Sequence, residues 1–209
     1  TLAGTGTIHT VGGGNTLYND GTIAPGDSTG CVDSLDCSIG TLTVDGDFVQ
    51  DDAGEFDIEL VYVGEKSVDV FDVTETAYFT SDTGGMVNAL PLGFVEEGRY
   101  TFLTAGDLVV GATPDLNVND FVLFDIDLGY EEGDVNAMWL DVDRLTVTEA
   151  GGTPNQEEIY DTLTEEAGEG NEDAQDLLDL LDLLDDPQDL YDALGSRTGE
   201  HYPNLLDLS

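Results

Sequence analysis

Between Glu55 and Leu60 the chain alternates acidic and apolar residues without a break: Glu-Phe-Asp-Ile-Glu-Leu. Side chains of an extended chain point to opposite faces in turn, so Phe56, Ile58 and Leu60 share one face and three carboxylates the other. The pattern predicts a strand with a dry side and a wet side. Val68 to Val70, Phe71 to Val73, Tyr78 to Thr80 and Met86 to Leu90 continue it, with Asp82-Thr83-Gly84-Gly85 as the turn before the last. Arg99 to Ala105, Phe121 to Leu128, Ala137 to Val142 and Leu145 to Thr148 complete the series. Upstream, Asn19-Asp20-Gly21 and Pro25-Gly26-Asp27 supply turn chemistry around the short strands Thr22-Ile23 and Thr41 to Val44. Gly-Thr pairs open at Gly4, Gly21 and Gly40, at steps of 17 and 19 residues. A strand-and-turn unit recurring near every 20 residues is the pattern of a solenoid, whose coils bury their inner faces only against their neighbours.

After Gly151 the period changes. Thr153 or Asn155 can cap a helix with Pro154 in its first turn, and Gly168-Glu169-Gly170 ends it. Asn171 or Asp173 opens a second helix, and Pro187 starts a third that stops at Gly195. Leu177, Leu180, Leu181 and Leu184, then Leu190 and Leu194, fall at helical spacing and are expected to pack inward. The pattern therefore divides the chain into an all-β region, 1–150, and a Leu/Asp-rich helical subdomain, 151–209. Asp176, Asp179, Asp182 and Asp185 repeat every three residues along the second helix with no Lys or Arg among them.

Charge changes the picture most. The chain has 46 acidic residues against 4 basic ones, a net of −42. Such a surface repels nucleic acid and anionic membranes, and its natural company is cations or a salty medium that screens self-repulsion. The acids are spread over every element, which reads as adaptation of a whole surface to a saline habitat; engineered supercharging would look the same. With 40% hydrophobic residues the chain still has the means to bury a core. No apolar run is long enough to span a bilayer as a helix, so this segment is not expected to insert in a membrane. The chain opens at Thr1 inside repeat-like sequence, and any secretion signal is expected upstream in a longer precursor.

Candidate chemistry is sparse. Cys31 and Cys37 lie in a polar loop with five residues between them, a spacing that permits a small disulfide loop in an oxidising compartment. Zinc is disfavoured because no other Cys exists and neither His is near. Asp33, Asp36, Asp45 and Asp47, with Asp51 and Asp52, offer hard oxygen ligands for Ca²⁺, yet their spacing fits neither an EF-hand nor a nonapeptide calcium coil. Diffuse cation condensation is the competing reading. His9 and His201 are the only proton carriers for triad chemistry, one in a repeat strand and one in the tail. Close carboxylate pairs such as Asp45/Asp47 are inevitable among 46 acids and by themselves do not indicate a glycosidase.

Three stretches, in order, carry a family resemblance: Ile23-Ala24-Pro25-Gly26-Asp27-Ser28 with Ile39 to Phe48; Gly84-Gly85-Met86-Val87, Leu92-Gly93-Phe94-Val95 and Gly98 to Ala105; and Thr153-Pro154-Asn155-Gln156, Gly170-Asn171, Leu177 to Leu184, Leu194-Gly195-Ser196 and Gly199-Glu200-His201-Tyr202. Together they resemble the C-terminal passenger region of bacterial autotransporters (type V secretion). The chain departs from that pattern by an insertion, Thr29 to Ser38, by aspartate where the family's helical segment favours alanine and arginine, and by having no barrel sequence after Ser209. The resemblance implies a right-handed parallel β-helix over 1–150, with autochaperone-like C-terminal rungs at about 84–148, followed by the helical linker.

It also implies a function. The chain is expected to be a non-enzymatic structural module of a secreted or surface-displayed passenger of a Gram-negative bacterium, supporting folding of upstream coils of its own chain. Met86, Val87 and Leu90, with Tyr100, Phe102 and Leu103, are the expected template strands. The alternative is a self-assembling subunit of an extracellular filament, in which copies stack head to tail through open strand edges. A third reading is a polysaccharide lyase or hydrolase. No organic cofactor is implied.

Overall fold

In the computed structural model the described residues are 1–10, 15–26, 39–62, 65–80, 82–119 and 121–195. The strands are β1 (Leu2–Gly4), β2 (Gly6–His9), β3 (Thr16–Asn19), β4 (Thr22–Pro25), β5 (Thr41–Asp45), β6 (Asp47–Gln50), β7 (Glu55–Tyr62), β8 (Lys66–Val68), β9 (Val70–Phe79), β10 (Met86–Pro91), β11 (Gly98–Val110), β12 (Asp115–Asn117), β13 (Phe124–Glu131) and β14 (Ala137–Arg144). The helices are α1 (Pro154–Gly168), α2 (Glu172–Asp182) and α3 (Pro187–Gly195). The chain is thus mainly β, and it forms two compact units. One takes Thr1–Val118 with Ile126–Val142; the other takes Asn119–Asp125 and the chain from Asp143 onward.

The first unit holds two sheets. In one, β1, β4, β7, β10 and β12 lie side by side, all parallel, and β8 folds back antiparallel on the end of β7. In the other, β2, β5, β9 and β11 are parallel neighbours, and β3 and β6 continue the same stack along the second half of β9. Parallel neighbours require a long crossover, most often a helix. Here the strands of the other sheet supply it: the chain between β4 and β7 passes through β5 and β6. Residues bonded across adjacent strands are 29 to 36 residues apart for most of the unit, as in Asn19 with Gln50, Asp57 with Asn88 and His9 with Asp45.

That step replaces the period near 20 expected from the Gly-Thr pairs everywhere but at β1 and β4, where Leu2 pairs with Ile23, 21 residues on. Gly21 precedes β4 in one sheet and Gly40 precedes β5 in the other. The same corner wording is used at two different bends, so the apparent repeat is shorter than the true pairing step. Leu145 to Thr148 also departs from expectation, forming turns rather than a strand. Glu149 explains it: its carboxylate accepts both the Thr146 N–H (3.0 Å) and the Thr146 hydroxyl (2.9 Å), a local alternative to a strand ladder. These two bonds hold the Glu149 carboxyl below the usual range. The three-residue β12 was not anticipated.

The alternation in β7 is realised as expected, with Phe56, Ile58 and Leu60 fully buried. They meet a cluster of rings from four other positions. Phe48 lies 4.8 Å from Phe71 and 5.8 Å from Phe56, and Phe79 and Phe102 each pack within 6.3 Å of Phe56, centroid to centroid. Tilted and edge-on contacts of this kind add to the area each ring removes from water.

In the second unit Thr153 is the N-cap of α1, with Gln156 returning a bond to the Thr153 N–H in a full capping box. Asn171 caps α2 through the Ala174 N–H. The inward face of α2 is Ala174, Leu178, Leu181 and Asp182, and Leu190 and Leu194 of α3 are buried as expected. Leu180 corrects the predicted face: it is 66% exposed, while Leu177 and Leu184 are half-buried. Leucines stand at nearly every position the aspartates leave, so spacing permits two rotations of the helix. The one adopted turns Asp182 inward.

Candidate functional site

The most constructed polar feature of the first unit is a stack of corners along the second sheet. The chain turns at Thr10 and Asn15 and at Asp45-Gly46-Asp47, and at the same place along the stack the pairing of β9 with β11 shifts register at Thr74-Glu75-Thr76 and Gly106. Thr10 Oγ1 donates to the Asp45 carbonyl (2.9 Å) and Asp47 N–H to the Asn15 carbonyl (2.8 Å). Gly46 N–H then donates to Thr74 Oγ1 (3.0 Å), and Thr76 N–H to Asp47 Oδ1 (3.1 Å). Gly46 has φ +141°, and a Cβ there would stand 2.1 Å from Thr10 Oγ1 and 2.4 Å from the Asn15 carbonyl oxygen. Only glycine fits so tight a stack at that backbone angle.

The stack is closed by Asn136. Its Nδ2 donates to the Gly106 carbonyl (3.0 Å), its Oδ1 accepts the Gly133 and Leu108 N–H groups (2.8 and 3.3 Å), and its backbone carbonyl accepts Ala105 N–H (3.0 Å). The residue is buried and sits at φ +49°, a left-handed conformation that Asn tolerates better than most residues. One side chain thus takes the place that a next corner would occupy. β14 acts likewise on the backbone, pairing antiparallel with β11 from Gly98–Val142 to Thr104–Ala137, where every earlier strand of that stack pairs in parallel. At the opposite side, β1, β2 and β3 each have a strand partner on one side only among the described residues.

The expected template strands lie inside the sheets. β10 is flanked by β7 and β12, with Val87 buried, Met86 half-buried and Leu90 exposed; β11 is flanked by β9 and β14, with Tyr100, Phe102 and Leu103 buried. Each is flanked on both sides over part of its length only, β10 along Met86–Asn88 and β11 at Leu103 and Thr104.

The calcium candidates divide. Asp33 and Asp36, like Cys31, Cys37 and His201, lie outside the described residues. Asp45 and Asp47 are committed to the corners, Asp45 Oδ2 standing 2.8 Å from His9 Nδ1. Asp52 accepts the Thr80 hydroxyl (2.6 Å) and the Thr83 N–H (3.0 Å), which holds its carboxyl below the usual range. Among the described residues no group of three or more His, Cys, Asp or Glu side chains converges as a metal site would require.

Two buried acids were missed. Asp69, fully buried between β8 and β9, accepts Gly40 N–H on Oδ1 (2.9 Å) and Glu59 N–H on Oδ2 (3.1 Å), so it ties the two sheets together. Burial pushes its carboxyl up to about 7, against the pull of those two N–H groups. In the second unit Arg144 makes a two-pronged pair with Asp182 (2.6 and 2.9 Å), and the Tyr160 hydroxyl bonds to both. Burial, then the Asp182 charge, raises Tyr160 far above the usual phenol range. Arg144 is one of only four basic residues in the chain, and that scarcity was the available signal that it would be anchored by an acid. These groups are internal ties; they present no reacting atom to solvent.

No helix among the described residues is long and apolar enough to cross a membrane. Compared with known proteins, the chain matches no family model and no curated protein sequence.

Proposed function

We propose that the chain is the closing end of a right-handed parallel β-helix, a non-enzymatic structural module of an autotransporter-like passenger displayed on or secreted from a Gram-negative cell. The observation that carries this reading is the polarity of the first unit. Its parallel stack meets Asn136 and, along Gly98–Thr104, the antiparallel β14 on one side, while on the other β1, β2 and β3 each have a strand partner on one side only among the described residues. A stack so built adds coils in one direction, and each added coil buries apolar area worth about 25 cal/mol per Å². The order of the sequence stretches that resemble autotransporter passengers supports the same reading, as does an acidic surface suited to an extracellular saline medium.

Head-to-tail filament growth has less support. It needs an open parallel edge at both ends, and in the second sheet β14 takes that position along Gly98–Thr104, which leaves Asp107–Val110 of β11 and the short β12 at that end. The test is a graft. In an autotransporter with a well-behaved passenger, the C-terminal end of the passenger is replaced by residues 1–195 of this chain. Surface display of a protease-resistant passenger is the expected result, and a displayed but protease-sensitive passenger, equal to that of a plain deletion, refutes the proposal.

A further inference from the structure

On the outer face of the second sheet one row of side chains breaks the acidic surface. Tyr18 of β3 faces Val49 of β6, Val49 faces Tyr78 of β9, and Tyr78 faces Val109 of β11. Tyr18 is 72% exposed and Tyr78 and Val109 are each 38% exposed. Their chain neighbours Phe48, Ala77 and Leu108 are buried in the core and Leu17 is half-buried, so the period of two places these four outward together. The adjacent outward row is Thr16, Asp47, Thr76 and Asp107, hydroxyl and carboxylate in alternation.

From this juxtaposition we infer that the row Tyr18–Val49–Tyr78–Val109 is a binding platform for an uncharged polysaccharide. Strands in a sheet stand 4.7–4.9 Å apart, so the tyrosines, two strands apart, are separated by about 9.6 Å along a nearly flat surface. That separation suits alternate rings of an extended glycan, whose apolar faces stack on aromatic rings while their edges present hydroxyls. The exposed Asp107 carboxylate flanks the row as a partner for those hydroxyls.

The other occupants fit less well. A stable protein interface covers about 800 Å² on each partner, far more than one row of four side chains. A nucleic acid would stack on tyrosine only with cationic side chains along its backbone, and this row is flanked by carboxylates. An anionic glycan meets the same repulsion.

Native-gel affinity electrophoresis of the full chain tests the inference, with hydroxyethyl cellulose, mixed-linkage β-glucan or glucomannan cast in the gel and alginate as the anionic control. Retardation by at least one neutral polymer, absent with alginate and weakened at least tenfold in Tyr18→Ala/Tyr78→Ala, is the expected result. Circular dichroism checks that the variant is folded, and Tyr18→Ala alone, at the most exposed position, serves if the double variant is not. No retardation of the parent by any neutral polymer, equal retardation by alginate, or undiminished retardation of a folded variant overturns it. The outcome is independent of the graft experiment above, since a closing module works whether or not its outer face binds sugar.

Discussion

The two units face one problem, an excess of carboxylates with almost no cations to answer them, and they resolve it differently. In the β unit the acids take hydrogen bonds from neutral donors on the neighbouring strand. Asp72 accepts the Thr104 hydroxyl (2.6 Å), Asp57 accepts Asn88 Nδ2 (2.7 Å), and Asn88 in turn accepts from Asn117 (2.7 Å). Asp47, Asp52 and Asp69 accept backbone N–H groups. A parallel ladder puts like positions in register, so one hydroxyl or amide per strand can serve a carboxylate one pairing step away. Helices have no such neighbours, because their interior N–H groups are already bonded within the helix. Among the described residues the helical unit answers its acids with local donors, as where Glu157 accepts the Thr148 N–H (2.7 Å), Asp179 accepts Gln175 Nε2 (2.9 Å) and Asp192 accepts Gln188 Nε2 (2.7 Å), and it sets one buried cation, Arg144, against the buried Asp182. Between strands the donors come from about 30 residues away along the chain, while in the helical unit they are local and the buried acid, Asp182, is the one answered by a cation.

The sharpest break in that contrast is Asp182→Ala. It leaves the Arg144 guanidinium buried without its counter-charge, and losing one partner of such a pair costs about 3–5 kcal/mol. The helical ellipticity at 222 nm is expected to be lost at clearly lower urea. The single Trp, Trp139, lies in the β unit beneath the Arg99 guanidinium (3.7 Å) and reports that unit separately by fluorescence, with an unchanged midpoint. Exchanging both partners, Arg144→Met with Asp182→Leu, is expected to recover most of the loss, because an apolar pair leaves no buried charge behind. Equal shifts of the two midpoints in the single variant would mean that the units do not melt separately.

Asp69 gives the β unit its own pH signature. Its carboxyl titrates near 7 when folded and near the ordinary 3.8 when unfolded, so between those values the folded state binds the extra proton. Stability therefore falls as pH rises from about 4 to about 7, by at most about 1.4 kcal/mol per pH unit from this group. Loss of repulsion among the other acids on acidification acts in the same direction, which makes Asp69→Asn the informative comparison. The variant is expected to show a shallower pH dependence of the Trp139 midpoint over that range, whatever its absolute stability. Parallel profiles would remove Asp69 from the account.

Asn136→Ala probes the closing of the corner stack. It removes a partner from the Gly106 carbonyl and the Gly133 N–H, both at exposed residues, and strands the buried Leu108 N–H, and a buried polar group left without a partner costs about 1–3 kcal/mol. Hydrogen exchange is expected to rise first around Gly106 and Leu108 and least in β1 and β4. A uniform rise across the unit would assign Asn136 a general packing role.

What could be read beforehand follows from what each signal depends on. The alternation of β7, the caps at Thr153 and Asn171 and the breaks at Gly170 and Pro187 are local, and the expected elements formed there. The pairing step was misread because Gly-Thr wording marks a bend without saying which bend. The rotation of α2 was misread because leucine is too abundant to choose a face; the choice is made by Asp182 meeting Arg144, 38 residues earlier in the chain. Asn136 carried a turn signal in Gly133-Asp134-Val135-Asn136, yet its role depends on Gly106 and Leu108, about 30 residues upstream.

Salt separates the units with the smallest effect. Asp176, Asp179 and Asp185 remain on α2 and just beyond it with no basic residue in the helix, and like charges three or four residues apart cost about 0.2–0.5 kcal/mol per pair at low ionic strength. In the β unit the acids are bonded to neutral donors whose strength screening does not change. Raising NaCl from about 10 mM to about 1 M shortens the Debye length from about 30 Å toward 3 Å and removes the repulsion along the helix. The ellipticity at 222 nm is therefore expected to rise, and the helical midpoint with it, while the Trp139 midpoint moves less. If both midpoints rise together, repulsion acts over the whole surface and the hydrogen bonds between strands give the β unit no special protection from its own charge.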